Sequence, residues 1–157
     1  MNQSSALSTR PSTPQAQFVP SSPPSLHRRW FIRQLIPLIG GLRYAWLSLN
    51  SKSVENISDN ACLDIAIASR ELDEWKAIST HLPYVLNSHI ESGKKATIIC
   101  LEFKDRSFLQ LTLVHCIGKR RDAFKNSKKM LDGAFLNEEG MKVAAMPFVL
   151  EYLSSTT

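Results

Sequence analysis

The sequence is poor in cysteine and glycine, and both shortages exclude kinds of site. It has three cysteines and no CxxC spacing, which excludes a disulfide scaffold and the common zinc modules. Unpaired thiols are typical of a reducing intracellular compartment, which we expect for this chain. The six glycines are scattered, so no loop can cradle a phosphate through consecutive backbone N–H groups. We therefore expect neither a bound metal nor a cofactor.

Local signatures of the common enzyme classes are also missing. The sequence has no P-loop, GxGxxG, GxSxG or HExxH motif. His115 and Cys116 are adjacent, and on a strand they would point to opposite faces, so they cannot easily share one metal ion. An active site assembled from distant residues leaves no local mark, and an enzyme of that kind is the weakest hypothesis. We expect a non-enzymatic protein without catalytic residues.

Acidic residues are missing from the first third of the chain. Met1–Val54 contains six Lys and Arg residues and no Asp or Glu, whereas Glu55–Thr157 contains 13 basic and 14 acidic residues. The net charge of +5 therefore originates in the N-terminal third. Together with a pI of about 9.3, it favours anionic partners.

Composition predicts three regions along the chain. Residues 1–26 contain five prolines and seven serines and too few large apolar side chains to form a core, so we expect a disordered arm. Its proline-rich stretch is a candidate docking segment for a peptide-binding host factor. Residues 27–54 predict a basic amphipathic helical segment, and residues 55–157 predict an α+β domain.

An acid-free start rich in serine and proline is also typical of a transit peptide. In this alternative hypothesis, about the first 50 residues direct import into a mitochondrion or plastid and are then removed. N-terminal sequencing of the protein from its native source distinguishes the two hypotheses, because an intact arm contradicts import.

Large apolar side chains recur at helical spacing in residues 27–54. Pro37 and the Gly40-Gly41 pair predict a break or kink in this helix. Two hypotheses stay open: the apolar face packs on the domain's own core, or the segment contacts membrane headgroups. A transmembrane span is disfavoured, because the stretch contains Arg33 and Arg43. The membrane-contacting set predicted by the second hypothesis is Arg28, Arg29, Trp30, Phe31, Arg33, Leu35, Leu42, Tyr44 and Trp46.

Residues 55–157 predict a small mixed sheet with helices packed on it. Alternating apolar residues indicate strands near 61–68, 96–103 and 107–117. The last two strands form a hairpin whose four-residue loop pairs Phe103 with Phe108, and both faces of the hairpin are expected to be covered. Helical spacing predicts a helix from about 70 to 92 that Pro83 kinks or splits in two. Two more helices are predicted near 122–131 and 138–152, the last bent at Pro147.

Cations are most concentrated in residues 118–129, where a single acid, Asp122, accompanies six of them. A helix beginning near Asp122 would place three lysines on neighbouring positions of one face. The polyanion-binding set predicted here is Lys119, Arg120, Arg121, Lys125, Lys128 and Lys129. Such a set suits the phosphates of nucleic acid or of anionic lipid. Aromatic residues are not interleaved with it, so base stacking and sequence-specific recognition are not expected.

The sequence thus favours a non-enzymatic structural or regulatory protein. It would associate peripherally with an anionic membrane surface, or with nucleic acid or a ribonucleoprotein, and it would self-associate. In physical layout, though in no matched motif, it resembles a small viral matrix or accessory protein. The basic segment at 118–129 also resembles a two-part nuclear localisation signal, so we expect a membrane-associated or nuclear location.

Overall fold

A computed structural model of the protein describes residues 26–48, 62–116 and 123–155. These parts of the chain form four α-helices and one seven-stranded mixed sheet, which confirms the predicted α+β class. The helices are α1 (Leu26–Leu38), α2 (Leu72–His81), α3 (Ala123–Asp132) and α4 (Met146–Ser155). The strands are β1 (Tyr44–Trp46), β2 (Leu63–Ile67), β3 (Val85–Ser92), β4 (Ala96–Phe103), β5 (Phe108–Val114), β6 (Phe135–Leu136) and β7 (Lys142–Val143). Apart from Leu26, the predicted disordered arm lies outside the described residues.

The strands lie in the order β3-β4-β5-β2-β1-β7-β6. Two neighbouring pairs, β2 with β5 and β1 with β7, are parallel, and the other pairs are antiparallel. The central position of β1 and β2 explains why the side chains of both strands are almost entirely buried. Parallel strands are usually covered on both faces, and helices pack against both faces of this part of the sheet.

The larger core lies between one face of the sheet and helices α1 and α2. On α1, Phe31, Ile32 and Leu35 share one face and are fully buried. Trp75 of α2 is also fully buried and meets the ring of Tyr44 edge-on, with 5.8 Å between the ring centroids. Burial of each such side chain stabilises the fold by about 1.5–3 kcal/mol.

The smaller core lies on the opposite face, under α3 and α4. Ala45 of β1 and Ala66 of β2 are paired there, and their small side chains leave room for the helices. Met130 of α3 and Val149 of α4 fill this side of the sheet. These helices cover the part of the sheet around β1 and β2, whereas side chains on the same face of β4 are only half-buried.

The apolar helical pattern of residues 27–54 is divided between a helix and a strand. Helix α1 ends at Leu38, next to the predicted break, and Tyr44–Trp46 forms β1. The prediction of helix beyond the break was therefore wrong, because Tyr44 and Trp46 alternate on a strand that pairs with β2. Helix α1 and strand β1 contribute to the same core as β2, β4 and β5. The predicted boundary at residue 55 lies outside the described residues.

The predicted long helix of residues 70–92 ends at His81. Leu82 is extended, with φ −69° and ψ 148°, as expected for a residue that precedes proline. After a turn in which Tyr84 has φ 74°, the chain continues as strand β3. Pro83 therefore separates a helix from a strand and does not kink one helix.

The β4–β5 hairpin has a three-residue loop, which corrects the predicted register by one position. The backbone N–H of Phe103 donates to the carbonyl of Ser107 at 2.9 Å, and Arg106 has φ 69°, as in three-residue loops that end in a left-handed residue. Leu101 now pairs with Leu109. This register places the buried residues of the two strands on one face, so the expected cover on both faces of the hairpin was wrong.

The C-terminal helix begins later than predicted. Residues 135–143 instead form a short hairpin, in which the side chain of Asn137 accepts hydrogen bonds from the backbone N–H groups of Glu139 and Met141. Pro147 lies in the first turn of α4, where the missing N–H removes no helical hydrogen bond. The predicted helix near 122–131 is confirmed as α3.

Candidate anion-binding site

A pocket of about 320 Å³ opens beside the carboxyl ends of the parallel strands β2 and β5. Crevices at the carboxyl ends of parallel strands are common ligand sites in sheets covered by helices. We call this site the cationic pocket, and its lining residues are Arg43, Ile67, Ala68, Ser69, Arg70, His115, Ser127, Lys128 and Leu131.

Three cations reach the pocket from three different elements. Arg43 precedes β1, Arg70 lies in the short 3-10 turn after β2, and Lys128 lies on α3. The Arg43 guanidinium pairs with Asp132, and its backbone N–H donates to Glu71 at 2.8 Å, so this arginine is held in place. Arg70 and Lys128 are exposed, and no carboxylate of the described residues pairs with either.

The pocket also has uncharged hydrogen-bonding groups. Ser69 and Ser127 contribute hydroxyl groups. His115 forms one wall, and its Nε2 lies 3.4 Å from the hydroxyl oxygen of Thr97. Burial lowers the pKa of His115, and the nearby charge of Lys76 lowers it further, so both favour the neutral imidazole. Among the described residues, the positive charge of the pocket therefore comes from Arg43, Arg70 and Lys128 rather than from histidine.

Backbone pairing brings Arg43 and Arg70 together, although they are distant in sequence. Tyr44 pairs with Ile67 in the β1–β2 ladder. At the adjacent position of this ladder, the N–H of Ala68 donates a hydrogen bond of 3.3 Å to the carbonyl of Arg43. Arg70 follows two residues later. Neither arginine was predicted as a site residue from the sequence. Their proximity depends on the pairing of Tyr44–Trp46 with β2, and the sequence analysis did not predict a strand at Tyr44–Trp46.

The structure describes part of the polyanion-binding set predicted from the sequence. Lys128 lines the cationic pocket, and Lys129 is exposed beside it on α3. Lys125 belongs to α3, but its side chain is not among those described. Lys119, Arg120 and Arg121 lie outside the described residues, in the segment that connects β5 to α3.

Most of the predicted membrane-contacting set lies inside the molecule. These side chains are at most 7% exposed: Arg28, Phe31, Leu35, Leu42, Tyr44 and Trp46. Arg28 is held by a hydrogen bond of 3.1 Å from its Nη1 to the carbonyl of Phe108. Their helical spacing reflects packing on the sheet, which corrects the hypothesis that these six contact a membrane. Trp30 is 46% exposed, Arg33 is exposed and Arg29 is half-buried.

Two further kinds of site are absent from the described residues. None of their helices is long and apolar enough to cross a bilayer. Within the same ranges, no group of three or more His, Cys, Asp or Glu side chains is arranged to hold a metal ion.

Comparison of the chain with protein-family models and with curated proteins gives no match. The chemistry of the cationic pocket must therefore be inferred from its own residues. Guanidinium and ammonium groups beside hydroxyl donors suit the oxygens of a phosphate group, with arginine as a fork and lysine as a point charge.

Proposed function

We propose that the protein is a non-enzymatic structural or regulatory protein that binds the phosphate backbone of nucleic acid through the cationic pocket. The convergence of Arg43, Arg70 and Lys128 on one pocket carries this proposal. Two of these cations have no carboxylate partner among the described residues, so they are available to an anion. A phosphate backbone presents repeated charges, and each neutralised phosphate releases counterions that favour binding.

Binding by this pocket should be independent of base sequence. Among the described residues, the lining contains no Phe, Tyr or Trp on which a base could stack. Phosphate contacts position a protein on nucleic acid but carry no sequence information. The pocket therefore suits a protein that holds a nucleic acid or a ribonucleoprotein by charge.

The test compares two charge reversals at exposed lysines. Lys128→Glu alters the pocket, whereas Lys104→Glu changes the net charge equally at the β4–β5 turn, away from it. Binding of random-sequence RNA and duplex DNA, followed by fluorescence anisotropy over a salt series, should weaken much more with Lys128→Glu. Equal weakening by both variants would show that total charge, and not the pocket, controls binding.

A second variant measures how many phosphates the pocket contacts. Changing Arg70 and Lys128 together to Ala should flatten the slope of log affinity against log salt on duplex DNA by about 2, because each phosphate contact contributes about 0.9. Changing Lys119, Arg120 and Arg121 to Ala tests the adjoining predicted cations in the same assay. A slope unchanged in the first variant would remove the pocket from the binding surface.

A second candidate function is contact with an anionic membrane, and the outer face of α1 favours it. Leu26 and Trp30 are 56% and 46% exposed, and Arg33 continues the same face at helical spacing. Interfacial helices combine apolar and basic residues in this way. Flotation with anionic liposomes tests this candidate, since Trp30→Ala should reduce binding whereas Leu150→Ala, at an exposed leucine of α4, should not.

A further inference from the structure

Strand β3 forms a long edge of the sheet, and no described strand pairs with its outer side. It has eight residues, and every residue from Leu86 to Ser92 is exposed. The opposite edge strand, β6, has only two residues. Proteins usually protect long edges with charged residues, proline or bulges. Strand β3 contains no Lys or Pro, its one charged residue is Glu91, and its bulge is confined to the Val85–Asn87 end. The remaining edge can accept another strand.

The β3–β4 ladder shows which backbone groups point outward. The N–H of Gly93 donates to the carbonyl of Ala96 at 2.9 Å, and hydrogen-bonded pairs recur at every second residue of an antiparallel ladder. With the observed register, Glu91 and His89 therefore bond to β4. The N–H and C=O groups of Ser88 and Ile90 point away from it, toward the free edge.

The apolar face of the sheet continues to this edge. Ile90 pairs with Ile99, which is fully buried, whereas Ile90 itself is 37% exposed and Leu86 is 43% exposed. The core face therefore ends in the partly exposed side chain of Ile90, beside backbone groups that point away from β4, and the exposed Leu86 lies next to it in the bulge between Val85 and Asn87. A strand added here would cover the side chains and satisfy the backbone together.

We propose that this strand is β3 of a second copy of the chain, paired antiparallel about a two-fold axis at Ser88. Residues whose N–H and C=O groups point away from β4 must lie opposite each other in the two copies to form hydrogen bonds between them. A two-fold centre at Ser88 meets this condition, because it places Ser88 opposite Ser88 of the partner subunit. By register it places Ile90 opposite Leu86 of the partner subunit, at the bulged end of the partner strand. Asn87 then faces His89 of the partner subunit, so no like charges are opposed.

A neighbouring register centred at His89 also brings outward-pointing residues opposite each other, so the side chains distinguish the two registers. A centre at His89 places two imidazoles opposite each other and separates Leu86 from Ile90 of the partner subunit. The Ser88-centred pair is self-complementary and closes as a dimer, because it uses the same edge in both copies. The cationic pocket involves no β3 residue, so this interface is independent of the proposed function, although a dimer would present two pockets to one polyanion.

The mass of the full-length protein in solution tests the interface. Sedimentation velocity at micromolar to submillimolar concentrations should give a dimer for the wild type and a monomer for Ile90→Lys, because a lysine protects the edge. Phe108→Lys is the matched control: Phe108 is 65% exposed on β5, which is not an edge strand, so this variant should remain dimeric. A wild type that is monomeric throughout, or an Ile90→Lys variant that is equally dimeric, would overturn the proposal.

Cross-linking tests the register without relying on a disruptive change. In the Ser88-centred pair the two Cα atoms are about 5.5 Å apart, within disulfide range. Mild oxidation of Ser88→Cys should therefore give a covalent dimer at several times the yield of wild type, whose native cysteines set the background. His89→Cys should stay near that background, and higher yield from His89→Cys than from Ser88→Cys would contradict the register.

Discussion

Tyr152 connects the C-terminal helix to the centre of the sheet through one side-chain hydrogen bond. Its hydroxyl donates to a carboxylate oxygen of Asp64, on β2, at 3.0 Å. Burial raises the pKa of Tyr152, and the adjacent carboxylate raises it further, because a phenolate would be repelled by Asp64. The folded protein therefore keeps this tyrosine protonated at a pH where the unfolded chain loses the proton.

This difference predicts a loss of stability in alkali. Above about pH 10 the unfolded state binds fewer protons than the folded state at Tyr152, so the free energy of unfolding falls as pH rises. Tyr152→Phe should make this decline shallower, as measured by urea unfolding between pH 9 and 11. Some decline should persist, because burial also raises the pKa of Tyr44. Identical pH profiles for wild type and variant would contradict the role given to Tyr152.

The same variant should also lower stability at neutral pH. Removing the hydroxyl leaves the half-buried Asp64 carboxylate without this donor, and loss of one partner of a hydrogen bond destabilises a protein by about 1–3 kcal/mol. Leu153→Ala, on the exposed side of α4, is a suitable control for general effects on the helix. We expect the control to change the urea midpoint much less.

At the scale of secondary structure, the elements with unambiguous local patterns could be predicted. The alternation in β2, β4 and β5 and the position of α3 were recognisable from the sequence. Strand β3 was not, because Leu82, Leu86 and Ile90 are four residues apart, and a spacing of four satisfies both a helix and one face of a strand. The extended conformation of Leu82 before Pro83 determines which structure forms.

The candidate site could be predicted only where its residues are neighbours in sequence. Lys128 belongs to a run of cations, so composition identified it. The β1–β2 pairing places Arg43 and Arg70 beside the same pocket. Strand β1 is only three residues long, so its alternation could not be distinguished from the apolar spacing of α1. Long-range pairing, which single-sequence patterns do not contain, brought these residues together.

Helix α1 provides the sharpest test of core packing against surface contact. Phe31 is fully buried and lies 5.3 Å from Phe103 between ring centroids, whereas the neighbouring Trp30 is 46% exposed. Phe31→Ala should reduce the free energy of unfolding by about 3–5 kcal/mol, and Trp30→Ala should reduce it much less. Chemical denaturation measures both, and a small loss for Phe31→Ala would contradict the placement of α1.

At the scale of the whole molecule, the fold separates cations that the sequence places together. Arg28 is buried, Arg43 reaches the cationic pocket, and Arg33 lies on the outer face of α1. The described cations of the N-terminal third therefore do not form one continuous basic surface. Residues distant in sequence, Arg70 and Lys128, complete the pocket, so local charge density is determined by the topology of the sheet.

This distribution predicts that the first 25 residues contribute little to either stability or polyanion binding. They contain a single charged side chain, Arg10, and the described core begins with α1. A chain that starts at Leu26 should therefore keep its thermal transition, measured by circular dichroism. Its salt slope on duplex DNA should change by about 1 at most, because one cation can neutralise one phosphate. Loss of the cooperative transition would show that the N-terminal residues contribute to the core, and a much flatter slope would place part of the binding surface within them.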